Sequence, residues 1–215
     1  MLLGLIYTTK PDGGKGSVTL TRRGDTATVI DTAKVVGSAQ NVDTVSFAPA
    51  DAAMTTGSSY PAVTGADLTI LRAHSLMIPV AGVTADKLVD SFDDIRGGTR
   101  HHEALDIMAP RGTPVLSADA GRVLKLHNSV AGGLSIYVAD PTQRFIMLYA
   151  HLNSYRPGLA EGMAVRKGEL LGYVGSTGNA SPAAPHLHFA IARSDNPKEW
   201  WKGTPLNAFL IWRGK

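Results

Sequence analysis

The chain has 215 residues, an apolar share of 44% and no cysteine. It can therefore bury the core of one ordinary domain with an appendage, or of two small domains, and it excludes disulfides and thiolate metal sites. Its net charge, 21 − 18 = +3, is too mild a basic bias to indicate nucleic acid, and no run of five like charges accompanies it.

The N-terminal run 1–7 (Met-Leu-Leu-Gly-Leu-Ile-Tyr) is apolar but stops at Thr8. It has no basic stretch before it and is shorter than the roughly seven to fifteen residues of a signal core, so it reads as a first strand or frayed end. No stretch of the sequence is long enough to form a membrane span. Residues 8–75 are rich in Thr, Ser, Ala, Gly and Asp and thin in large apolar side chains. Gly13-Gly14, Gly24-Asp25 and Gly57-Ser58-Ser59 read as turns between short strand-like runs such as Val18-Thr19-Leu20 and Thr28-Val29-Ile30. Part of this segment is expected to be loosely ordered, and it shows no chemistry. His74, isolated, reads as a surface or packing residue.

Composition changes at Leu76-Met77-Ile78-Pro79-Val80, which sets an expected division into an N-terminal segment, 1–75, and a domain, 76–215. Short apolar runs separated by Gly and Pro predict strands at 105–108, 113–118, 122–127, 134–138, 145–150, 170–174 and 187–192. The one short helix predicted is 86–92. Turns are marked by Ala131-Gly132-Gly133, Asp140-Pro141 and Arg156-Pro157-Gly158. Many strands at regular spacing predict a mainly β protein built on a compact antiparallel sheet or sandwich.

Six of the seven histidines fall in this strand-rich part, and all but His127 are clustered. The clustered ones stand in three settings: His101-His102-Glu103-Ala104-Leu105-Asp106, Tyr149-Ala150-His151-Leu152 and Pro185-His186-Leu187-His188-Phe189. Side chains alternate along a strand, so His186 and His188 share one face while Leu187 and Phe189 turn to the core. His102 and Asp106 are four apart and share a face on a strand or a helix, whereas His101 points elsewhere. An unpaired imidazole in a core costs about 1–3 kcal/mol, so paired histidines around one inward Leu are a poor way to fill it. Two neutral imidazoles and one carboxylate suit a tetrahedral zinc with an open position. They suit a non-haem iron triad equally, but that reading leaves His151 and His186 without a role. His127 reads as a satisfied or surface residue.

These motifs resemble those of the lysostaphin-type (LytM-like) zinc metallopeptidases, bacterial enzymes that cut peptide bonds in peptidoglycan. The resemblance covers about residues 76 to 210. The run from His102 through Ala109-Pro110-Arg111-Gly112-Thr113-Pro114-Val115 is similar to the first metal motif, and Tyr149-Ala150-His151-Leu152 to the middle one. Gly172-Tyr173-Val174-Gly175-Ser176-Thr177-Gly178-Asn179 leading to His186-Leu187-His188 is similar to the closing one. The resemblance implies Zn2+ bound by His102, Asp106 and His188, with His151 and His186 acting on the attacking water and the tetrahedral intermediate. It further implies a duplicated-hybrid-motif-like sheet with an open groove across the metal, a peptidoglycan peptide substrate and a place in the cell envelope, periplasmic or secreted. Ala104 stands where the family usually has Gly, Ala190 where an acidic residue is common, and the loop 180–185 is richer in Ala and Pro than is usual. Trp200, Trp201 and Trp212 read as packing of the C-terminal arm, with a saccharide-binding surface as the alternative. The competing function is a non-catalytic wall-binding or amidase-activating module, which typically loses metal ligands that this chain retains.

Overall fold

The computed structural model describes residues 18–22, 25–29, 65–96 and 98–213. The apolar run 1–7, the turns at Gly13-Gly14 and Gly57-Ser58-Ser59, and Gly24 lie outside the described residues. In the first of two compact units, β1 (Val18–Arg22) pairs antiparallel with β2 (Asp25–Val29), with Val18 opposite Val29 and Arg22 opposite Asp25. Runs of Val and Thr favour such extended pairing.

The second unit contains, in chain order, α1 (Gly65–Ala73), β3 (Ile95–Arg96), β4 (Arg100–His101), β5 (Leu105–Met108) and β6 (Pro114–Leu116). There follow β7 (Gly121–Ser129), β8 (Gly133–Ala139), β9 (Phe145–Tyr155), β10 (Ala164–Val165) and β11 (Leu170–Val174). β12 (His186–Arg193), β13 (Thr204–Leu206) and α2 (Phe209–Trp212) complete it. The mainly β, antiparallel expectation holds, and every strand predicted in 76–215 is present, 105–108 and 170–174 with unchanged ends and the others shifted. The predicted helix at 86–92 is not there. A single 3₁₀ turn at Ala85–Lys87 gives way to extended backbone at Leu88, and the Asp90 carboxylate accepts from the Phe92 amide. A side chain that satisfies the local backbone in this way competes with helix formation.

Nine strands form one sheet in the order β10-β7-β8-β9-β11-β6, with β12 joining β9 to β5 and β13. Every strand pair in it is antiparallel, and β9 is its hinge. Along one edge its residues from Phe145 to Ala150 pair with β12, whereas Leu152 to Tyr155 pair with β11. His151 sits at the fork, with a left-handed φ of 59° and its amide donating to Gly132 O rather than to either strand.

Both faces of β9 are covered, so alternation of polarity is lost along it, as in strands buried on two sides. Phe145, Met147 and Tyr149 face the larger core with Leu187, Phe189, Ile191 and Trp212. Ile146, Leu148 and Ala150 face a smaller layer with Ala104, Ala190 and Ala192. That second layer is built largely of alanine, so the face is thin and leaves room for rings near its end. Tyr149 is fully buried, and its hydroxyl accepts from the Ala118 amide at 2.9 Å. Burial pushes its phenol well above the usual range, so it stays protonated.

α1 precedes residue 76, yet its Asp67 is fully buried and accepts from Arg144 at 2.7 Å and from Arg193 at 3.0 Å. Arg72 of the same helix donates to Leu210 O on α2. Trp212 donates its indole N–H to Leu76 O at 2.9 Å and is buried, while Trp200 packs edge-on to Tyr137 and near His127. His74 is tied to the Asp119 carboxylate at 2.8 Å. Among the described residues no helix is long and apolar enough to cross a membrane.

Candidate metal centre

Three chain segments meet beside the fork. β12 brings His188 directly opposite Asp106 of β5 on one side and Ala150 of β9 on the other. With Leu187 and Phe189 in the core, alternation sends His186 and His188 to the thin face. His102 arrives differently from the expected route along a strand. It follows the short β3–β4 ribbon in a loop, where its amide donates to Asp94 O and the Glu103 amide donates to Phe92 O, with Glu103 at φ 57°. The even offset from Asp106 therefore predicted the right neighbour by the wrong geometry. His101 is exposed, its nearest carboxylate being Asp93 at 3.9 Å.

The donor atoms form a small triangle. His102 Nε2 and His188 Nδ1 are 3.0 Å apart, and they stand 3.1 and 3.3 Å from Asp106 Oδ1. Ligands held at about 2.0–2.1 Å by a tetrahedral zinc stand about 3.3–3.4 Å from one another, close to these edges. Together the three residues make a group that could hold a metal ion. His102 is almost fully buried, and its Nδ1 lies 2.9 Å from Ser91 O. A proton on Nδ1 serves that carbonyl and leaves the Nε2 lone pair facing the triangle.

Asp106 divides its two oxygens. Oδ2 accepts from Arg96 at 3.0 Å. Oδ1 is buried and makes no hydrogen bond, although imidazole nitrogens of His102, His188 and His186 lie 3.1, 3.3 and 3.6 Å away. A buried anionic oxygen left in this state is costly, and a cation at the triangle satisfies it. Burial by itself would raise the Asp106 pKa, but the nearby His102 and His188 imidazoles more than reverse it and hold the carboxyl well below the usual carboxylate range. The donor set fits a borderline cation with nitrogen and oxygen ligands.

His151 and His186 border this group. Their rings are 5.1 Å apart, and His151 is 5.5 Å from His188, centroid to centroid. His151 Nδ1 lies 2.9 Å from Thr177 O, and His186 Nδ1 lies 2.9 Å from Ala184 O. Each carbonyl takes the Nδ1 proton of a neutral ring, so each Nε2 is left to accept. Burial, followed by the charges of His188 and His186, pushes His151 down to about 3. The ring is neutral across the physiological range. Thr177 is itself held by a tight glycine seat, because a Cβ on Gly178, at φ 73°, would collide with Ala131 O and Gly133 N.

The structure thus brings all five expected side chains to one place. Sequence reasoning missed Ser91, Arg96 and Thr177. Two of these act through backbone carbonyls, which no side-chain pattern reveals, and Arg96 lies in an ordinary charged stretch before the first motif.

Residues 100–206 match the profile of Peptidase family M23. The L-Ala–D-Glu endopeptidase of Bacillus subtilis is 32% identical over 149 residues, which are 66% of this chain and 44% of that protein. The chain thus spans less than half the length of that relative. A lytM structure from Ruminococcus gnavus is 29% identical with a TM-score of 0.54, covering 68% of this chain and 63% of that one. Helicobacter pylori Csd3 is 28% identical with a TM-score of 0.50, covering 65% and 33%.

Proposed function

We propose that this chain, whose residues 100–206 form a domain of peptidase family M23, is a zinc metalloendopeptidase that hydrolyses peptide bonds in bacterial peptidoglycan, in stem peptides or cross-bridges. His102, Asp106 and His188 are the ligands of this reading, and the place of action is the cell envelope, periplasmic or secreted. The observation that supports it most directly is the buried, unsatisfied Asp106 Oδ1 facing three imidazoles. The similarity to an endopeptidase named for an L-Ala–D-Glu bond supports the substrate class.

A zinc ion at this set would supply an acidified water and a Lewis acid for the scissile carbonyl. The protein's own groups do the remaining work. His151 is neutral and oriented through Thr177 O, so its free Nε2 can accept the proton of the attacking water. His186 is oriented through Ala184 O and stands 3.6 Å from Asp106 Oδ1. It borders the donor triangle beside His151 and is the second ring available to act at the tetrahedral intermediate.

Incubation of the purified, zinc-loaded protein with bacterial sacculi is expected to release peptide fragments, and a chelator should stop the release. A folded protein that takes up no zinc and releases nothing would instead be the non-catalytic module. His151→Ala is expected to keep stoichiometric zinc and to lower kcat by about 10²–10⁴-fold, the usual worth of a positioned acid or base. Zinc analysis and a timed peptide assay on the same sample check both halves. Equal loss of metal and activity would make His151 a ligand instead.

Acid should strip the metal late. Burial pushes the His188 ring below the ordinary imidazole value, against the opposing pull of Asp106. Its neutral, ligating form therefore persists as pH falls, and protonation of the histidine ligands is what releases the metal. Half-release is expected below about pH 6, under the ordinary histidine value. A zinc-sensitive dye read between pH 8 and pH 4 measures it, and a midpoint at pH 7 or above would contradict the ligand set.

A further inference from the structure

Arg111 is held differently from the arginines that pair with a carboxylate. Arg96, Arg144, Arg156 and Arg193 each meet a carboxylate within 3.0 Å. Arg111 instead donates Nη1 to Asn153 Oδ1 at 3.2 Å and Nη2 to Ser176 Oγ at 2.5 Å. Both partners are uncharged, and among the described residues no carboxylate pairs with it. Arg111 is exposed, and its guanidinium has five N–H donors, so two bonds leave the rest of the fork unspent. Its charge is held in place and not neutralised.

The position is specific. Asn153 is two residues beyond His151 on β9, and Ser176 adjoins Thr177, whose carbonyl holds His151. The turn that carries Arg111 is locked to the end of β11, since the Gly112 amide donates to Val174 O and the Val174 amide to Thr113 O. At the start of the same turn Met108 is exposed and lies directly opposite His186 across the β5–β12 pair. Met108 thus borders His186, and Arg111 is fastened to the two segments that carry His151 and its Thr177 partner.

We propose that Arg111, pre-oriented by Asn153 and Ser176, is a specificity-determining residue that binds a free carboxylate of the substrate peptide next to the scissile bond. This rests on the peptidase reading and narrows it to anionic peptides. A guanidinium fork matches a carboxylate with two parallel hydrogen bonds, and anchoring by neutral side chains reduces the entropy lost on binding. A carboxamide at the same place presents one acceptor and no charge, so it forfeits the charge-assisted part.

The test uses two dye-labelled, C-terminally amidated Ala-Glu-Lys peptides whose glutamyl residue carries either a free carboxylate or a carboxamide. Binding to the zinc-loaded full chain is read by fluorescence anisotropy, and cleavage is followed on the same samples. The wild-type protein is expected to bind the acid at least about tenfold more tightly than the amide, in keeping with a charge-assisted hydrogen bond. Arg111→Gln, which retains a polar group beside Asn153 and Ser176, should bring the ratio of the two affinities close to one with zinc content unchanged. A preference that survives in Arg111→Gln, a wild-type ratio near one, or an equal weakening of both peptides would overturn the assignment. Failure of the wild type to cleave either peptide, with the affinity ratio behaving as expected, would count against the hydrolase reading and for the carboxylate site.

Discussion

His188→Ala is expected to remove the metal and, with it, at least about three orders of magnitude of peptidase activity. One ring serves two functions at this position. Its Nδ1 is a corner of the donor triangle, and its strand joins the Asp106 strand to the His151 strand. Loss of the imidazole leaves one histidine and one carboxylate, too few to hold a borderline cation at a defined open position. A supporting residue outside the ligands typically costs 10–100-fold in affinity or activity, and a ligand should cost more. The backbone should not suffer, because the residue lies on the thin alanine face and alanine is already used at Ala190 and Ala192. Zinc content, circular dichroism and sacculus digestion on one preparation separate these outcomes. Retention of full zinc content with an intact fold would rule out His188 as a ligand.

A second large effect is expected far from the chemistry. Asp67→Ala should destabilise the protein by about 3 kcal/mol, because it strips a fully buried carboxylate from both Arg193 and Arg144. Arg193 dominates this cost. Its side chain is 12% exposed, whereas that of Arg144 is 46% exposed and screened by water. For a chain of this size such a loss lowers Tm by about 6–12 °C. Arg144→Ala should cost much less, about 1 kcal/mol. Calorimetry on zinc-loaded samples distinguishes the two. Equal, small shifts would mean that α1 is not fastened to the sheet through this carboxylate.

Asp67 also shows where local sequence reading stops. Its partners Arg144 and Arg193 lie 77 and 126 residues away, and the surrounding segment is poor in large apolar residues. Nothing nearby announces that the helix is anchored, so α1 escaped prediction. The strands were readable because their signal is local: Leu105–Met108 and Leu170–Val174 carry their own apolar runs and bounding turns. The 86–92 segment misled because apolar spacing says nothing about hydrogen bonds made elsewhere. There the Ser91 carbonyl faces His102, and Asp90 closes on the Phe92 amide. The His-Leu-His pattern was informative for the converse reason, since alternation on a buried strand forces both rings to one side whatever the rest of the chain does. The carbonyls of Ser91, Thr177 and Ala184, which set the ring orientations, carry no side-chain signature and needed coordinates.

The change of partner along β9 at His151 divides the five-residue site into two banks with different attachments. The donor triangle belongs to the bank built on β5, β12 and the loop after β4, whereas His151 and the Thr177 carbonyl belong to the bank where β11 begins to pair. Loosening of the second bank by heat, denaturant or a crowding mutation would leave the first one loaded. On the proposed zinc reading, metal stoichiometry is a census of one bank only, and a preparation could be fully metallated and still idle. On that reading a probe on the far shore, such as the protection of the His151 amide bonded to Gly132, is needed before a low turnover is blamed on missing zinc.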